Sequence, residues 1–307
     1  MTTATVVDAA LQAFAELVGT DDPVAVAGGR TRWDAGGPPS PGTRIVAAPT
    51  GIVDYRPEEM TVTVRAGTTV AELDGALAAA GQRSALPDRG GTVGGALAVG
   101  ENDLRARGRG MLRHAVLQVR YVSAEGKVIT SGGPTVKNVT GFDLPRLMVG
   151  ALGTLGLLAE VTLRTNPVPP VSRWLRADDV DPAEVSSAVL APSAVLWDGT
   201  TTWVELEGHG VDVDADEATL ATLGSFVPAD GPPPLPPHRW SMTPADALTM
   251  TDGRGGRFVA AVGLGVVLAE RPPPPRPPSE AVAGVSARLK ANFDPSGRLN
   301  PGRTPGS

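Results

Sequence analysis

The first apolar pattern along the chain has a helical period. Apolar residues recur at intervals of three and four residues at Val7, Leu11, Phe14 and Val18. This spacing is typical of the buried face of an amphipathic helix. Gly19 follows and is the residue type that most often ends a helix, so one helix is predicted up to that position.

Shorter extended segments come next. They are rich in β-branched residues and bounded by Gly, Pro or Asp, which predicts strands at 24–27, 44–48 and 61–67. A second helix is predicted from Thr69, because its hydroxyl can cap the helix while Glu72, three residues on, completes a capping box.

A hairpin, a helix and a further strand follow. Two strands around a tight turn are predicted over 115–130, and a helix is predicted to begin near Asp143. The segment 157–165 predicts another strand. The sequence NPVPP then disfavours regular structure and predicts a domain boundary near residue 168.

Beyond this boundary the patterns are weaker. A helix is predicted at 214–223, and an apolar run covers 257–270. Proline tracts at 231–237 and 271–278 interrupt this part of the chain. Because proline lacks an amide donor, both tracts are expected to be exposed linkers or loops. A closing helix is predicted from Ser279.

Composition narrows the function. A chain of 307 residues and 31.4 kDa corresponds to about two domains. Cysteine is absent, which excludes disulfides, thiolate catalysis and iron-sulfur ligation by this chain. The net charge of -6, with no basic block, argues against nucleic acids and anionic membranes as partners. A small molecule or a protein is the expected partner.

The sequence carries no pattern for membrane insertion or export. It has no apolar run of about 18 residues, and its first basic residue is Arg30. No transmembrane segment and no secretory signal are therefore predicted. A cytoplasmic location is expected, with attachment to a membrane only through partner proteins.

Familiar catalytic motifs are missing. The three histidines, at 114, 209 and 238, lack metal-ligand spacing, so no metal site is predicted. The sequence contains neither a Walker loop for phosphoryl transfer nor a nucleophile elbow for acyl transfer. The segment GALGTLG follows a predicted helix and enters a strand, which is the reverse of the order in a Rossmann dinucleotide site.

Three glycine-rich segments remain as candidate chemistry. They are AGGRTRW (27–33), GGTVGGALA (90–98) and GALGTLG (150–156). Glycine allows close backbone approach and positive φ, so successive amides can converge on an anion such as a pyrophosphate. The second segment leads into a run able to start a helix, whose dipole would add attraction for phosphate. Each segment taken alone suits a simple turn better, and together they leave both interpretations open.

The order of these segments resembles a known family. They are accompanied by VRAGTTVAEL (64–73), KNVTGFDLPRLMVGALGTLGLLAEVTL (137–163) and the closing FDPSGRLNPGR (293–303). The series is similar to FAD-linked oxidases of the vanillyl-alcohol oxidase and p-cresol methylhydroxylase (PCMH) type. Within that family it is most similar to the FAD-binding subunits of glycolate oxidases. The likeness covers residues 23–168 and returns at 286–303.

The resemblance implies an α+β fold, with a two-lobed PCMH-type FAD-binding domain and a reduced α+β cap domain. Residues 1–168 are expected to form the FAD-binding domain, and 171–278 the cap with its proline-rich loops. Residues 279–307 are expected to form a helix and tail that return to the FAD-binding domain.

The resemblance also implies which residues contact FAD. The first loop is expected to wrap the pyrophosphate, mainly through backbone amides, at Ala27, Gly28, Gly29, Arg30 and Thr31. The cradle is expected to continue toward the ribityl chain and ring at Pro87, Gly91, Thr92, Val93, Gly94, Gly95 and Ala98. The segment that passes the flavin is expected to supply Gly150, Gly153, Thr154 and Gly156. Val161 is expected to contact the adenine side of FAD, and Asn300 is expected to approach the flavin.

Other interpretations of these residues stay open. The glycine pairs also suit turns, Val161 suits the core and Arg30 suits a solvated loop. Lys137 and Asn138 suit contacts with the flavin or a substrate, and equally suit capping of the helix at Asp143 or pairing on the surface. Asn300 also suits a residue that only shapes its turn.

The sequence departs from the family in two respects that bear on function. AGGRTRW contains neither His nor Cys, the residue types used for covalent flavin attachment, so FAD is expected to be non-covalent. The histidine-rich metal signature of catalytic 2-hydroxy-acid dehydrogenases is also missing. No base is therefore placed to take a proton from a 2-hydroxy acid.

The resulting hypothesis is an FAD-dependent oxidoreductase subunit. The chain would hold FAD and pass electrons to or from partner redox subunits of a glycolate oxidase-like, 2-hydroxy-acid dehydrogenase complex. The expected partners are a catalytic flavoprotein and an iron-sulfur subunit. Two alternatives are a stand-alone FAD-dependent dehydrogenase of a small hydroxy acid or alcohol, and a scaffold subunit without flavin.

Overall fold

The computed structural model describes residues 8–87, 89–134, 143–274 and 279–305. The chain divides into two compact units. The first unit comprises Met1–Asp103, Met111–Pro167 and Arg276–Ser307, and the second unit comprises Leu104–Gly110 and Val168–Pro275. The functional assignment of 1–168 to FAD binding and of 171–278 to a cap stays a prediction.

Helices and strands both occur in the described residues, as expected for an α+β fold. In chain order the helices are α1 (Ala9–Val18), α2 (Val70–Ala78), α3 (Val93–Val99), α4 (Ala106–Arg109), α5 (Leu112–Ala115), α6 (Leu144–Met148), α7 (Pro182–Ala188), α8 (Gly210–Leu220), α9 (Pro244–Ala247), α10 (Asp252–Gly255) and α11 (Glu280–Phe293). The strands are β1 (Val24–Val26), β2 (Arg44–Val46), β3 (Ile52–Arg56), β4 (Thr61–Arg65), β5 (Gln82–Arg83), β6 (Val116–Val122), β7 (Val128–Gly132), β8 (Leu157–Arg164), β9 (Asn166–Pro167), β10 (Val171–Asp178), β11 (Ala194–Trp197), β12 (Thr201–Gly208), β13 (Val227–Ala229), β14 (His238–Ser241), β15 (Phe258–Ala261) and β16 (Val266–Ala269). None of the helices in the described parts of the chain has the length and apolar composition needed to cross a membrane.

The first two helices form where local signals predict them. Asp8 caps α1, because its Oδ1 accepts a hydrogen bond from Ala10 N at 2.7 Å. The helix ends at Gly19, whose φ is 64°. In α2, Thr69 Oγ1 accepts from Glu72 N at 3.1 Å, while Glu72 Oε2 accepts from Thr69 N at 2.9 Å. This reciprocal pair is the predicted capping box. Val7 lies outside the described residues.

The main sheet of the first unit is antiparallel, with the order β3-β4-β8-β6-β7 among the described residues. β8 lies at its centre, where Val161 pairs with Val64 of β4 and with Val119 of β6. A core containing Leu73 of α2 and Leu97 of α3 packs against this sheet. A second core packs α1 against the first residues of β8. β8 is therefore buried along nearly its whole length.

A short parallel pair of strands, β1 and β2, lies beside the C-terminal tail. Val24 of β1 pairs with Arg44 of β2 and also bridges Leu299. The backbone nitrogen of Asn300 donates to Val24 O at 2.7 Å. The loop that follows β1 and the tail around Asn300 are therefore neighbours, although they come from opposite ends of the chain.

The second unit is built on an antiparallel sheet, with the order β13-β10-β12-β11-β15-β16-β14 among its described strands. α7 and α8 pack against it over a core that contains Val185, Leu206 and Val213. The apolar run 257–270 forms β15 and β16 with a turn between them. The helix predicted at 214–223 begins earlier, as α8, because its first turn buries Val213 in this core.

The segment Leu104–Gly110 belongs to the second unit, although first-unit residues precede and follow it in sequence. Leu104 packs against a cluster of the sheet that contains Leu196. Arg105 Nε donates to Glu205 Oε2 at 2.9 Å. These contacts join residues far apart in the chain, so no local sequence pattern indicates them.

Candidate functional site

The loop that follows β1 carries a run of free backbone amides. Within the part of the chain that the structure describes, the amide nitrogens of residues 28–31 donate no hydrogen bond. On either side of this run, Ala27 N donates to Val46 O at 3.0 Å, and Trp33 N donates to Arg30 O at 3.3 Å. Arg30 has a φ of 55°, which is uncommon for a residue other than glycine. Successive amides without internal partners are suited to binding an anion.

Two glycines let this loop approach the start of α3. A Cβ atom at Gly28 would lie 2.3 Å from Thr92 Oγ1. A Cβ atom at Gly29 would lie 3.1 Å from Gly91 Cα. The first and second glycine-rich segments therefore pack against each other, and this packing requires glycine at position 28.

The amides at the start of α3 are already hydrogen-bonded within the protein. Gly94 N donates to Ala66 O at 2.8 Å, and Gly95 N donates to Thr92 Oγ1 at 3.2 Å. Val93 N also donates to a backbone carbonyl, at 2.9 Å. These amides are not available for the phosphate that the sequence led us to expect at this helix start. Gly94 instead permits close packing, because a Cβ atom there would lie 2.7 Å from the Cβ of Ala66.

The third glycine-rich segment joins the end of α3 to β8. Leu152 N donates to Ala98 O at 2.8 Å, and Gly150 N donates to another carbonyl of α3 at 2.9 Å. At the entry to β8, a Cβ atom on Gly156 would lie 2.3 Å from the ring of Tyr121. One end of this segment is therefore held by hydrogen bonds to α3, and the other end packs closely against Tyr121 of β6.

The C-terminal tail is held by a buried carboxylate. Asp294 accepts from Leu299 N at 2.7 Å and from Lys290 Nζ at 2.5 Å. Burial alone would raise the pKa of Asp294, but the hydrogen bonds from Lys290 and from the backbone lower it below the usual range. In the loop that this carboxylate organises, Asn300 Nδ2 donates to Leu152 O. Asn300 Oδ1 is buried and has no donor among the described residues.

These elements enclose a cleft within the first unit. Its main chamber has a volume of about 290 Å³. A narrow arm of about 80 Å³ continues from it along residues 28–33. The two parts share the lining residues Val26, Gly28, Thr92, Gly95, Ala98, Leu152 and Asn300. Among the described residues, no group of three or more His, Cys, Asp or Glu side chains is arranged to hold a metal ion.

Most of the predicted site residues line this cleft. The main chamber brings together Ala27, Gly28, Thr92, Gly94, Gly95, Ala98, Gly153, Gly156 and Asn300. The narrow arm adds Gly29, Arg30 and Thr31. The three glycine-rich segments and the terminal asparagine, which are scattered along the sequence, therefore form one concave surface.

Six predicted residues are not among the described residues that line the cleft. They are Pro87, Gly91, Val93, Gly150, Thr154 and Val161. Gly150 and Thr154 line a neighbouring cavity of about 480 Å³ beside α11. Val161 is buried in the core, with its backbone paired in the sheet. Lys137 and Asn138 lie outside the described residues.

Six residues of the narrow arm were not predicted: the apolar Val26, Val99 and Leu152, and also Arg32, Trp33 and Arg303. Arg303 Nη1 donates to Trp33 O at 2.7 Å, and its guanidinium carbon lies 4.4 Å from the centre of the Trp33 ring. The guanidinium carbon of Arg30 lies 5.1 Å from the same ring centre. Burial lowers the pKa of Arg303. Arg32 and Trp33 belong to the segment AGGRTRW, so their place beside the predicted loop residues was readable in the sequence, whereas only the fold brings Arg303 to the loop.

A buried carboxylate fixes the arginine end of the loop. Glu101 Oε2 accepts from Arg32 Nε at 2.5 Å, and Glu101 Oε1 accepts from Arg89 Nη1 at 2.5 Å. Burial alone would raise the pKa of Glu101, but the hydrogen bond from Arg32 and the charge of Arg89 lower it below the usual range. Glu101 is therefore ionised at neutral pH and holds both arginines.

Comparison with known proteins relates the N-terminal part of the chain to FAD-binding proteins. Residues 3–132 match the family described as FAD binding domain. The glycolate oxidase subunit GlcE of Escherichia coli (strain K12) is 33% identical over 222 residues, which are 69% of this chain and 63% of that protein. The D-lactate dehydrogenase of Archaeoglobus fulgidus is 39% identical over 105 residues, which are 33% of this chain and 24% of that protein. This chain therefore matches only part of the length of these relatives.

Solved structures with a similar fold are more distant in sequence. An alkyldihydroxyacetonephosphate synthase superposes with a TM-score of 0.68 at 15% identity, over 95% of this chain and 73% of that chain. Physcomitrella patens BBE-like 1 superposes with a TM-score of 0.51 at 20% identity, over 71% of this chain and 50% of that chain. At these identities the likeness shows the fold alone, and it confirms the predicted fold class.

Proposed function

Because residues 3–132 of this chain match the FAD binding domain family, we propose that its cleft holds FAD without a covalent bond. The observation that carries the proposal is the run of free amides at 28–31. These amides line a cleft that also presents an unpaired acceptor, Asn300 Oδ1. A dinucleotide cofactor carries a diphosphate anion, which such amides can bind, and hydrogen-bond donors, from which this oxygen can accept.

The lining residues have distinct roles in this proposal. The amides of 28–31 donate to the diphosphate, and Asn300 Oδ1 accepts from a donor on the flavin part of the cofactor. Gly95 and Ala98 keep one wall of the cleft free of bulky side chains. Leu152 supplies apolar surface to both parts of the cleft. When bound, FAD supplies the hydride and single-electron chemistry, while these residues position it.

The chemistry of the lining supports a non-covalent cofactor. Covalent attachment of a flavin in proteins of the family that the sequence resembles uses a His or Cys side chain at the site. The described lining consists of glycine, apolar residues, Thr, Asn, Arg and Trp. The sequence as a whole contains no cysteine. FAD is therefore expected to be released when the protein is denatured.

We further propose that the chain is the FAD-binding subunit of a complex that oxidises a 2-hydroxy acid. Support comes from the relative named glycolate oxidase subunit GlcE and from relatives named glycolate oxidase subunit GlcD and D-lactate dehydrogenase. In this role the bound FAD passes electrons to or from a catalytic flavoprotein and an iron-sulfur subunit. The partners and the expected cytoplasmic location stay predictions.

The test starts from the visible spectrum of the purified chain. We expect flavin absorption, release of the yellow colour into the supernatant on acid precipitation, and no bleaching by glycolate or D-lactate under anaerobic conditions. Addition of a reduced catalytic flavoprotein partner should then bleach the bound flavin. That transfer distinguishes an electron-carrying subunit from a flavin that is only stored.

The other outcomes identify the alternatives. A colourless protein that also fails to bind added FAD would contradict the proposal and favour a scaffold without flavin. Bleaching by glycolate or D-lactate without any partner would favour a stand-alone dehydrogenase. Colour that stays with the acid precipitate would contradict non-covalent binding.

A further inference from the structure

Arg32 combines deep burial with an unsatisfied donor in the narrow arm. Its side chain is 9% exposed. Nε donates to Glu101 Oε2 at 2.5 Å, and Nη1 donates to Gly90 O at 2.9 Å and to Thr31 Oγ1 at 3.1 Å. Nη2 is buried and has no acceptor among the described residues. Three hydrogen bonds thus orient the guanidinium group and leave Nη2 able to donate to a ligand.

Arg303 repeats this arrangement from the C-terminal tail. Its Nη1 donates to Trp33 O at 2.7 Å and to Ala35 O at 2.6 Å. Its Nη2 is buried and has no acceptor in the described parts of the chain. Arg303 lines the same narrow arm as Arg32. Two oriented guanidinium groups, each with an unused nitrogen, therefore border one small space.

This space has the donors that a diphosphate requires. Residues 28–31, whose amides donate no hydrogen bond among the described residues, line it from the loop, and Arg32 and Arg303 each add an unused guanidinium nitrogen. Planar guanidinium groups match the spacing of phosphate oxygens. A diphosphate brings two negative charges and oxygen acceptors for the unused nitrogens of both arginines.

We infer that Arg32 and Arg303 form a clamp on the diphosphate and make the cleft selective for FAD over flavins that lack a diphosphate. This inference rests on the proposed function. It adds a source of affinity and selectivity that backbone amides alone do not supply. Glu101 is then a positioning residue, because it orients Arg32 without itself lining the narrow arm.

The test measures the binding of FAD and of riboflavin to the full chain by flavin fluorescence. We expect Arg32→Ala and Arg303→Ala each to weaken FAD binding by about tenfold or more, and to change riboflavin binding by no more than about twofold. Arg32→Lys serves as a variant that keeps a cation beside Glu101 but lacks the Nη2 donor, and it should lose the same selectivity. Circular dichroism checks that each variant is folded.

Arg89→Ala is the matched control. It removes an arginine from the same carboxylate, Glu101, but Arg89 is not among the described residues that line the narrow arm. We expect it to leave the ratio of FAD to riboflavin affinity within about twofold of wild type. A selective loss of FAD in this variant would overturn the clamp, because positive charge in general would then explain the effect.

The remaining outcomes separate the clamp from the proposed function. If wild type binds FAD and both alanine variants bind it equally well, the clamp is wrong and the proposed function stands. A parallel loss of FAD and riboflavin overturns the clamp too, since the arginines would then only hold the loop. If wild type binds no FAD, the proposed function fails. In that case the clamp is tested with inorganic pyrophosphate as the ligand. Pyrophosphate should raise the Tm of wild type and leave the Tm of both alanine variants unchanged, and an equal effect on all three proteins would overturn the clamp.

Discussion

The side-chain amide of Asn300 donates to the backbone oxygen of Leu152 and thereby ties the C-terminal tail to the segment between α6 and β8. Asn300 has a φ of 45°, a conformation that asparagine tolerates better than most residues. Its Oδ1 is left as a buried acceptor that borders both parts of the cleft. Asn300 therefore holds the tail beside the cleft and leaves Oδ1 able to accept a hydrogen bond from a cofactor.

Removal of this side chain is expected to weaken FAD binding. Asn300→Gly keeps the positive φ accessible but removes both side-chain hydrogen-bonding groups. The loss of about one hydrogen bond to the ligand corresponds to about 1 kcal/mol, or a roughly fivefold weaker FAD complex. Fluorescence titration of FAD measures the change.

Ser296→Ala provides the control in the same loop, because Ser296 Oγ donates to Asp294 and does not line the cleft. It should bind FAD within about twofold of wild type. Equal affinity of Asn300→Gly and wild type would contradict the role assigned to Asn300.

A methyl group at position 28 is expected to damage the cleft. The new Cβ atom of Gly28→Ala would lie 2.3 Å from Thr92 Oγ1, so the loop or Thr92 must move. Overpacking of this kind costs about 1–3 kcal/mol, and here it also displaces the free amides. We expect FAD affinity to fall by more than tenfold, as measured by fluorescence titration, while the circular dichroism spectrum is retained.

Gly231→Ala is the matched substitution, since a Cβ atom there meets nothing within 4 Å. It should leave both FAD binding and stability unchanged. If Gly28→Ala behaves in the same way, the close contact between the loop and α3 is not required for binding.

Local signals account for the parts of the fold that the sequence predicts well. The capping box of Thr69 and Glu72 and the Asp143 cap of α6 each depend on residues a few positions apart. The turn between β6 and β7 likewise depends on adjacent residues. The glycine-rich segments can be recognised because composition and order are readable without a structure, and together with the resemblance they indicated twelve of the described residues that line the cleft.

Long-range contacts account for what could not be predicted. Arg32 and Glu101 are 69 positions apart, and Asn300 and Leu152 are 148 positions apart. Neither pair leaves a periodic or adjacent pattern in the sequence. The same reason applies to Arg105, whose partner Glu205 belongs to a strand of the second unit. Sequence therefore indicated the backbone of the site but not the ion pairs that support it.

The ion pairs of Glu101 are expected to stabilise the first unit in a pH-dependent way. The pKa of Glu101 is lowered in the folded protein from the ordinary value of 4.5, despite burial, by Arg32 and Arg89. A lowered carboxyl pKa stabilises the fold at pH values above 4.5, and this contribution is lost as the pH falls through the folded-state value. Glu101→Gln should therefore lower the free energy of unfolding by about 1–3 kcal/mol at pH 7. The difference from wild type should shrink below pH 4.5.

Urea unfolding followed by far-ultraviolet circular dichroism at pH 7, 5 and 4 measures this difference. Glu125→Gln is the control, because the Glu125 side chain is 72% exposed in its pair with Lys127 and such pairs contribute little. A loss for Glu101→Gln that is constant across this range would contradict the assigned ionisation.

Glu205 is expected to give the opposite pH dependence in the second unit. Burial raises its pKa, and the attraction of Arg105 does not offset this effect. The folded state then holds the proton more tightly than the unfolded state does, so stability falls as the pH rises from 4.5 through the folded-state pKa. Glu205→Gln removes this proton equilibrium. Relative to the variant, wild type should therefore lose stability across that window.

Tryptophan fluorescence is the appropriate signal for this measurement. Four tryptophans, at 174, 197, 203 and 240, lie in the second unit, and the fifth is Trp33 of the first unit. Urea unfolding at several pH values from 4.5 to 7 should give a free-energy difference between wild type and Glu205→Gln that moves steadily in favour of the variant. Glu184→Gln, an exposed substitution on α7, should follow wild type at every pH. If the difference for Glu205→Gln moves toward wild type instead, the carboxyl is stabilised in its charged form by Arg105 more than burial opposes it.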